Sequence, residues 1–115
     1  MLRFHSIINV KNKFILTLTT TDKKSISEKI AKELIASKIA ACVSIHSPTT
    51  TYYFWGGKIR KDKEWMIMIK SPKHNYEKVE KLIKKLHNYE LPEIISIKIE
   101  SGSKKYLNWI ANETK

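Results

Sequence analysis

Runs of apolar and β-branched residues along the chain predict four β-strands. The first run, residues 14–19, contains only Phe, Ile, Leu and Thr and is typical of a buried strand. Gly56 and Gly57 mark a two-residue hairpin turn, because glycine tolerates the positive φ angles that such turns require. Pro48 interrupts the strand before this turn, which indicates a bend or a bulge. The predicted strands are residues 14–19, 41–55, 58–71 and 94–99.

Apolar residues at intervals of about one helical turn predict three helices. Ser25 and Glu28 form a capping-box pattern that would begin the first helix. The apolar positions of the three helices are Ile26, Ile30, Leu34 and Ile35, then Tyr76, Val79, Leu82, Ile83 and Leu86, then Tyr106, Leu107, Trp109 and Ile110. The resulting order is β-α-β-β-α-β followed by a C-terminal helix. This is the split β-α-β or ferredoxin-like pattern, an α+β sandwich with two helices on one face of an antiparallel sheet.

The length of 115 residues is typical of one domain. We place that domain at residues 13–115 and interpret residues 1–12, which are basic and lack acidic side chains, as an N-terminal extension. Such a segment also has a faint likeness to a transit peptide. One cysteine excludes an intrachain disulfide, so we expect a reducing, cytoplasmic location.

The formal net charge of +11 bears on the partners of the chain rather than on its fold. Lysine supplies most of the positive charge, whereas specific nucleic-acid recognition depends on the bidentate contacts of arginine. We therefore interpret Lys78, Lys81 and Lys85 as a solvated helix face, with weak attraction to polyanions as the alternative. The sequence lacks a membrane-spanning run, an aromatic RNA-binding motif and a nucleophile–base pair. We expect no specific nucleic-acid partner, no membrane partner and no enzymatic activity.

The predicted hairpin is too long for a domain of this size. Each strand would span roughly 45 Å at ~3.3 Å per residue, whereas a compact domain of this length is about 34 Å across. Its tip should therefore project, with four aromatic residues in a stretch, 39–57, that carries no charged side chain. We expect another copy of the chain to cover them in a closed ring, and an ordinary local core is the alternative. The predicted interface residues are Tyr52, Tyr53, Phe54 and Trp55.

A series of motifs along the chain resembles the CutA family of divalent-cation tolerance proteins. The motifs are AACV at 40–43, YFWGGKI at 53–59, Glu64 with Lys70, HNYELPEI at 87–94 and YLNW at 106–109. The resemblance implies a ferredoxin-like fold similar to PII signalling proteins. It also implies a homotrimer in which the long hairpins complete the sheets of neighbouring subunits. The implied role is tolerance of divalent cations, copper especially, without a settled biochemical activity.

The chain departs from the family pattern at three positions. Asn88 replaces the proline that usually follows the motif histidine, which frees one backbone N–H and loosens the turn. Some bacterial members are linked to copper through a strand-1 cysteine and paired histidines. Leu18 and Leu86 occupy the corresponding positions in this chain. That particular copper constellation is therefore mostly absent.

Four residues carry side chains that bind copper or other divalent cations in proteins. Cys42 is a soft ligand, although a cysteine in an apolar strand is more often a small buried hydrophobe. His87, Glu90 and Glu93 are close in sequence after the second helix, but their spacing fits no standard metal motif. His87 could instead interact with the helix dipole or form hydrogen bonds. We expect no required cofactor, and copper or another divalent cation as the candidate ligand.

Glu64 and Lys70 are six residues apart on the third strand and therefore share a face. They could form an ion pair between subunits or, with Tyr89, line a cleft between subunits. In PII-like trimers such clefts bind effectors, so a regulatory trimer that binds a small anion or nucleotide is an alternative function. A structural or adaptor trimer is a third. Tyr106 and Trp109 are interpreted as the docking face of the last helix. The other histidines are scattered and carry no signal of their own: His5, His46 and His74.

Overall fold

The computed structural model describes residues 13–115, and its elements follow the predicted order. The proposed N-terminal extension, residues 1–12, lies outside the described residues. The strands are β1 Phe14–Thr21, β2 Cys42–Ile45, β3 Thr49–Trp55, β4 Lys58–Pro72 and β5 Ile95–Lys98. The helices are α1 Lys24–Ala36, α2 Tyr76–Leu86 and α3 Lys104–Asn112, and a 3-10 turn at Lys73–Asn75 precedes α2.

The long strand β4 organises the sheet. β2, β4, β1 and β5 lie side by side in that order, and every pair is antiparallel. β3 pairs with the part of β4 that is nearest the hairpin turn. Side chains of α1 and α2 share one core with the middle of β4, so both helices cover the same face. This arrangement confirms the predicted α+β split β-α-β fold.

The core has two parts, one on each face of the sheet. On the first face, α1 and α2 pack on Ile67 and Ile69 of β4, and both of these isoleucines are fully buried. On the other face, Leu107 and Ile110 of α3 pack against Phe14 at one end of the sheet. Another part of this second face, which includes Ile95 and Ile97 of β5, is open in the protomer.

The first helix begins two residues too early for the predicted capping box. Lys23 occupies the N-cap position and no side chain caps the helix, so Ser25 already lies in the first turn. β1 continues to Thr21, which leaves Asp22 and Lys23 to connect strand and helix. The Thr21 hydroxyl accepts a hydrogen bond from the Lys23 N–H at 3.2 Å and orders this turn. The capping-box prediction is therefore wrong.

The hairpin projects from the domain, as its length predicts. We call β3, the turn and residues 58–64 of β4 the arm. The molecule measures 58 × 25 × 23 Å, and its radius of gyration is 15.8 Å, against ~13 Å for a compact domain of about 100 residues. Gly56 and Gly57 turn the chain with φ angles of +63° and +76°, which confirms the predicted turn.

A one-residue bulge separates the arm from the main sheet, next to Pro48. Ile45 of β2 pairs with Ile67, and Thr49 of β3 pairs with Glu64. Four residue steps from β2 to β3 therefore match three steps along β4. The bulge reverses the alternation of β3 relative to β2. Odd-numbered residues of β3 therefore share a face with even-numbered residues of β4.

The aromatic residues of the arm are exposed on both of its faces. Tyr52 and Phe54 are 64% and 69% exposed, and Ile59 near the tip is 72% exposed. Tyr53 and Trp55, on the opposite face, are also exposed. The protomer does not bury these rings, so the alternative of an ordinary local core is wrong.

Candidate functional site

A cleft of about 400 Å³ opens where the arm leaves the main sheet. The arm supplies one wall, and the loop after α2 supplies the other. Because the two-residue turn pairs Trp55 with Lys58, Tyr53 and Trp55 lie on the same side of the arm as Asp62 and Glu64. The lining residues are Thr20, Thr51, Tyr53, Trp55, Asp62, Glu64, Tyr89, Glu90, Leu91 and Glu93.

A buried carboxylate lies at the centre of the cleft wall. Glu64 is 5% exposed, and the Tyr89 hydroxyl donates a hydrogen bond to its Oε2 atom at 2.6 Å. Burial of the phenol and this hydrogen bond raise the pKa of Tyr89 well above its ordinary value. Tyr89 therefore keeps its proton and remains a donor to Glu64 in the neutral pH range. The sequence analysis grouped these two residues in one cleft, and the structure brings them together.

His87 holds the backbone that carries Tyr89. Its Nε2 atom lies 2.7 Å from the carbonyl oxygen of Thr20, and its Nδ1 atom accepts a hydrogen bond from the Tyr89 N–H at 3.0 Å. A carbonyl is an acceptor, so Nε2 carries the proton and Nδ1 does not. Both ring nitrogens are thus occupied by the protein. This arrangement matches the hydrogen-bonding alternative for His87 and leaves no free nitrogen for a metal.

Asn88 anchors the same loop to the end of β1. The Thr21 hydroxyl donates to Asn88 Oδ1 at 2.7 Å, and Asn88 Nδ2 donates to the Asp22 carboxylate at 2.8 Å. The expectation that asparagine in place of proline loosens this turn is not met, because its side chain makes two hydrogen bonds that proline lacks. Thr21 and Asp22 had no recognised role in the sequence analysis.

A second tyrosine–carboxylate pair lies further along the arm. The Tyr53 hydroxyl donates a short hydrogen bond to Asp62 Oδ2. This hydrogen bond is the main reason why the pKa of Tyr53 is raised. Asp62 was missed by the sequence analysis, although the two-residue turn at Gly56 and Gly57 already places it on the same face as Tyr53.

The cleft is acidic in a strongly basic chain. It contains the side chains of Asp62, Glu64, Glu90 and Glu93 and no basic residue, whereas the net charge of the chain is +11. Such a cleft attracts cations and repels anions. Within residues 13–115, however, no three His, Cys, Asp or Glu side chains are grouped closely enough to hold a metal ion. The cleft therefore offers a cation an acidic, aromatic lining rather than a ready-made coordination site.

Two of the predicted site residues lie away from this cleft. Cys42 of β2 pairs with Lys70 of β4. Lys70 lies four residues along β4 from Met66, which pairs with the cleft residue Thr20. Lys70 Nζ donates to the Tyr106 hydroxyl at 3.2 Å. Cys42 is half-buried and has no neighbouring group of metal ligands among the described residues. A metal role for Cys42 and a subunit-bridging role for Lys70 stay predictions.

The last helix docks mainly through two of its four predicted residues. Leu107 and Ile110 are buried against Phe14, which confirms that part of the prediction. Tyr106 and Trp109 are 39% and 41% exposed, and their rings stack with centroids 5.6 Å apart. Tyr106 also contacts the sheet, because its hydroxyl accepts a hydrogen bond from Lys70 of β4, whereas Trp109 stacks on Tyr106.

The fold and the cleft define a small α+β sandwich protein with a projecting arm and an acidic cleft at the base of that arm. The model of the family "CutA1 divalent ion tolerance protein" matches residues 15–113. The chain therefore belongs to the CutA1 family, which confirms the resemblance. The family is described by cation tolerance and not by a reaction.

Relatives and solved structures agree with this assignment. The divalent-cation tolerance protein CutA of Thermus thermophilus is 33% identical over 99 residues, covering 86% of this chain and 96% of that protein. The crystal structure of CutA1 from Oryza sativa has a TM-score of 0.87 at 32% identity, covering 90% of this chain and 94% of that one. The chain spans 57% of the rice relative named "Protein CutA 1, chloroplastic", to which it is 33% identical over 88% of its own length.

The comparisons leave the compartment open. The rice relative is chloroplastic by name. No helix in the described part of the chain is both long enough and apolar enough to cross a membrane. A cytoplasmic location for this chain stays a prediction.

Proposed function

We propose that this chain acts in the tolerance of divalent cations, copper foremost, as a homotrimer that catalyses no reaction. The observation that supports the role in tolerance is the acidic cleft, where four carboxylates gather in a chain of net charge +11. A locally negative cleft raises the cation concentration at its mouth. The relatives named for divalent-cation tolerance support the same role.

The exposed arm supports self-association. Large apolar rings cover both faces of a two-stranded ribbon that extends from a domain with a second open apolar face. Patches of this kind are typical of interaction surfaces. A second copy of the chain offers a matching open sheet, and closed rings satisfy such surfaces symmetrically. In the proposed trimer each arm lies against the sheet of a neighbour.

Light scattering of the full chain at micromolar concentration tests the assembly. We expect a mass three times that of the 13.5 kDa chain. A mass of one chain would refute self-association, and a stable dimer would refute the trimer while leaving the arm as an interface.

Titration with Cu(II) and Zn(II) tests the role of the cleft. The double variant Glu90→Gln/Glu93→Gln removes two exposed cleft charges and should weaken binding of both ions. The matched control, Glu28→Gln/Glu77→Gln, removes two exposed charges from the helices and should bind as the wild type does. Absence of binding to the wild type, or equal weakening in both variants, would refute the cleft as the cation site. A trimer that binds no cation would favour the structural or adaptor alternative.

The charge of the cleft disfavours the alternative of a nucleotide or small-anion sensor at this position. A phosphate group would lie among four carboxylates without a basic side chain in the lining, and like charges at close range are unfavourable. A thermal-shift screen with nucleotides should accordingly show no stabilisation of the chain.

A further inference from the structure

The sulfur-bearing side chains of residues 13–115 all lie on one face of the sheet. Met66, Met68 and Lys70 alternate along β4 on the face opposite the core residues Ile67 and Ile69. Cys42 pairs with Lys70 and therefore shares their face. This face lies away from α1 and α2 and continues along β4 to Glu64 and the acidic cleft, whose lining contains none of these four residues.

A histidine joins these sulfur atoms just beyond the end of β2. The His46 N–H donates to the Met66 carbonyl oxygen at 2.8 Å, which continues the β2–β4 ladder by one residue. Alternation from Cys42 through Ser44 then places the imidazole on the sulfur-bearing face. The His46 Nε2 atom lies 2.7 Å from the Met68 Sδ atom. A nitrogen donor and a thioether donor therefore meet at one point on this face of the sheet.

Met66 is the next donor on this face. It is the residue opposite His46 in the ladder and precedes Met68 by two positions, so its side chain points to the same side as both. Packing alone does not require sulfur here, because Leu16 and Leu18 of β1 occupy equivalent positions on the same face. Two thioethers and one imidazole within a single strand pair form a soft, neutral donor set.

We propose that His46, Met66 and Met68 form a binding site for Cu(I). Thioether and imidazole donors favour this soft ion over Zn²⁺, Mg²⁺ or Ca²⁺, which prefer harder or charged ligands. The site takes copper that is already reduced, so binding involves no electron transfer and needs no reductant from the protein. Its contribution to copper tolerance rests on the proposed function, whereas the binding itself is a separate property of these three residues. The histidine that carried no signal in the sequence is its nitrogen donor.

Competition with a chromophoric Cu(I) chelator, without oxygen and with the assembled full chain, tests the proposal. The wild type should withdraw Cu(I) from the chelator, and Met68→Leu and His46→Gln should each weaken binding by about tenfold or more. The matched control, His74→Gln, alters an exposed histidine whose ring contacts the Lys115 carbonyl and should bind as the wild type does. Failure of the wild type to compete would refute the site. So would loss of binding in Cys42→Ser with full binding in Met68→Leu.

Methyl NMR with Ag(I), a redox-inert probe of the same softness, gives a direct readout. The chain has three methionines, so its methionine methyl spectrum holds three signals, which Met66→Leu and Met68→Leu assign. Ag(I) should shift the Met66 and Met68 signals, and an unshifted Met68 signal would refute the site even if silver binds elsewhere.

The proposed cleft function and the proposed Cu(I) site can be refuted independently. Glu90→Gln/Glu93→Gln should leave Cu(I) binding unchanged while weakening Cu(II), and Met68→Leu should do the reverse. A wild type that binds Cu(I) but not Cu(II) would therefore refute the proposed cleft function and leave the Cu(I) proposal standing.

Discussion

At the scale of single residues, three threonines of β1 have the same burial but different hydrogen bonding. Thr17, Thr19 and Thr21 are all fully buried on the face that α1 and α2 cover. The Thr21 hydroxyl bonds to Asn88 and to the Lys23 N–H. The hydroxyls of Thr17 and Thr19 have no hydrogen-bond partner among the described residues. A buried, unpaired hydroxyl is costly, so the core carries two unfavourable groups.

We predict that Thr17→Val and Thr19→Val each stabilise the fold by about 1 kcal/mol or more, because valine has a similar shape and no hydroxyl to bury. Chemical denaturation would measure the free energy of unfolding. Thr21→Val is the control on the same strand, and it should destabilise by about 1–3 kcal/mol because Asn88 and Lys23 lose a partner. Destabilisation by all three substitutions would show that the hydroxyls of Thr17 and Thr19 are paired in solution.

The phenol of Tyr89 predicts a loss of stability at high pH. Burial and the hydrogen bond to Glu64 raise the pKa of Tyr89 in the folded chain, whereas an unfolded tyrosine has a pKa of about 10. The folded state therefore holds this proton more tightly. The contribution to stability is complete below about pH 10 and is lost as the pH rises towards the folded pKa.

Unfolding free energies between pH 9 and 11.5 would check this prediction by comparison of the wild type with Tyr89→Phe. The variant should be less stable near neutral pH by about 1–3 kcal/mol, because Glu64 loses a donor. It should also show a shallower decline above pH 10. Parallel curves for the two proteins would contradict a raised pKa at Tyr89.

At the scale of elements, the turn of the arm depends on backbone conformation rather than on space. A Cβ atom on Gly57 would meet no atom within 4 Å, yet its φ of +76° lies in the left-handed region. We predict that Gly57→Ala costs about 1 kcal/mol. Gly57→Asn should cost less, because asparagine tolerates this region better. Equal losses for alanine and asparagine would point to a role for the turn other than its φ angle.

The elements were largely predictable from the sequence, and the contacts between them were not. The apolar run of β1 and the Gly56–Gly57 turn predicted their structures, because both signals are local. The start of α1 was misplaced at Ser25, since the strand before it runs to Thr21. A helical stripe showed four apolar positions in α3, but it could not show that only Leu107 and Ile110 would be fully covered.

In the acidic cleft and the proposed Cu(I) site, too, some contacts were predictable from the sequence and others were not. Glu64 and Tyr89 could be grouped in advance through the family motifs. The pairing Tyr53–Asp62 follows from the register that the two-residue turn sets. The pairing His46–Met68 depends on the register of β2 against β4, which local patterns do not fix between residues so distant along the chain.

At the scale of the whole molecule, the exposure of the arm predicts that a carboxylate in place of an aromatic ring on the face with Tyr52 and Phe54 prevents assembly. Phe54→Asp places a carboxylate at a ring position that is exposed in the protomer, so it should not disturb the protomer fold. In the proposed trimer the same position is covered, where an unpaired charge is costly.

We expect Phe54→Asp to reduce the mass measured by light scattering to that of one chain, with the circular dichroism spectrum unchanged. The control is Lys29→Asp, an exposed position on α1 and away from the arm, which should remain assembled. A Phe54→Asp variant that keeps the wild-type mass would exclude this face of the arm from the interface.

The bulge beside Pro48 joins two strand registers that are set independently. The two-residue turn at Gly56 and Gly57 pairs Trp55 with Lys58, and this pairing decides which side chains of β3 face the cleft. β2 pairs with β4 in the opposite phase, and the extra residue between Ile45 and Thr49 takes up the difference. With one residue fewer, β2 and β3 would form one continuous ladder with β4, and Tyr53 would still share a face with Asp62. The turn, rather than the segment beside Pro48, therefore determines which side chains line the cleft.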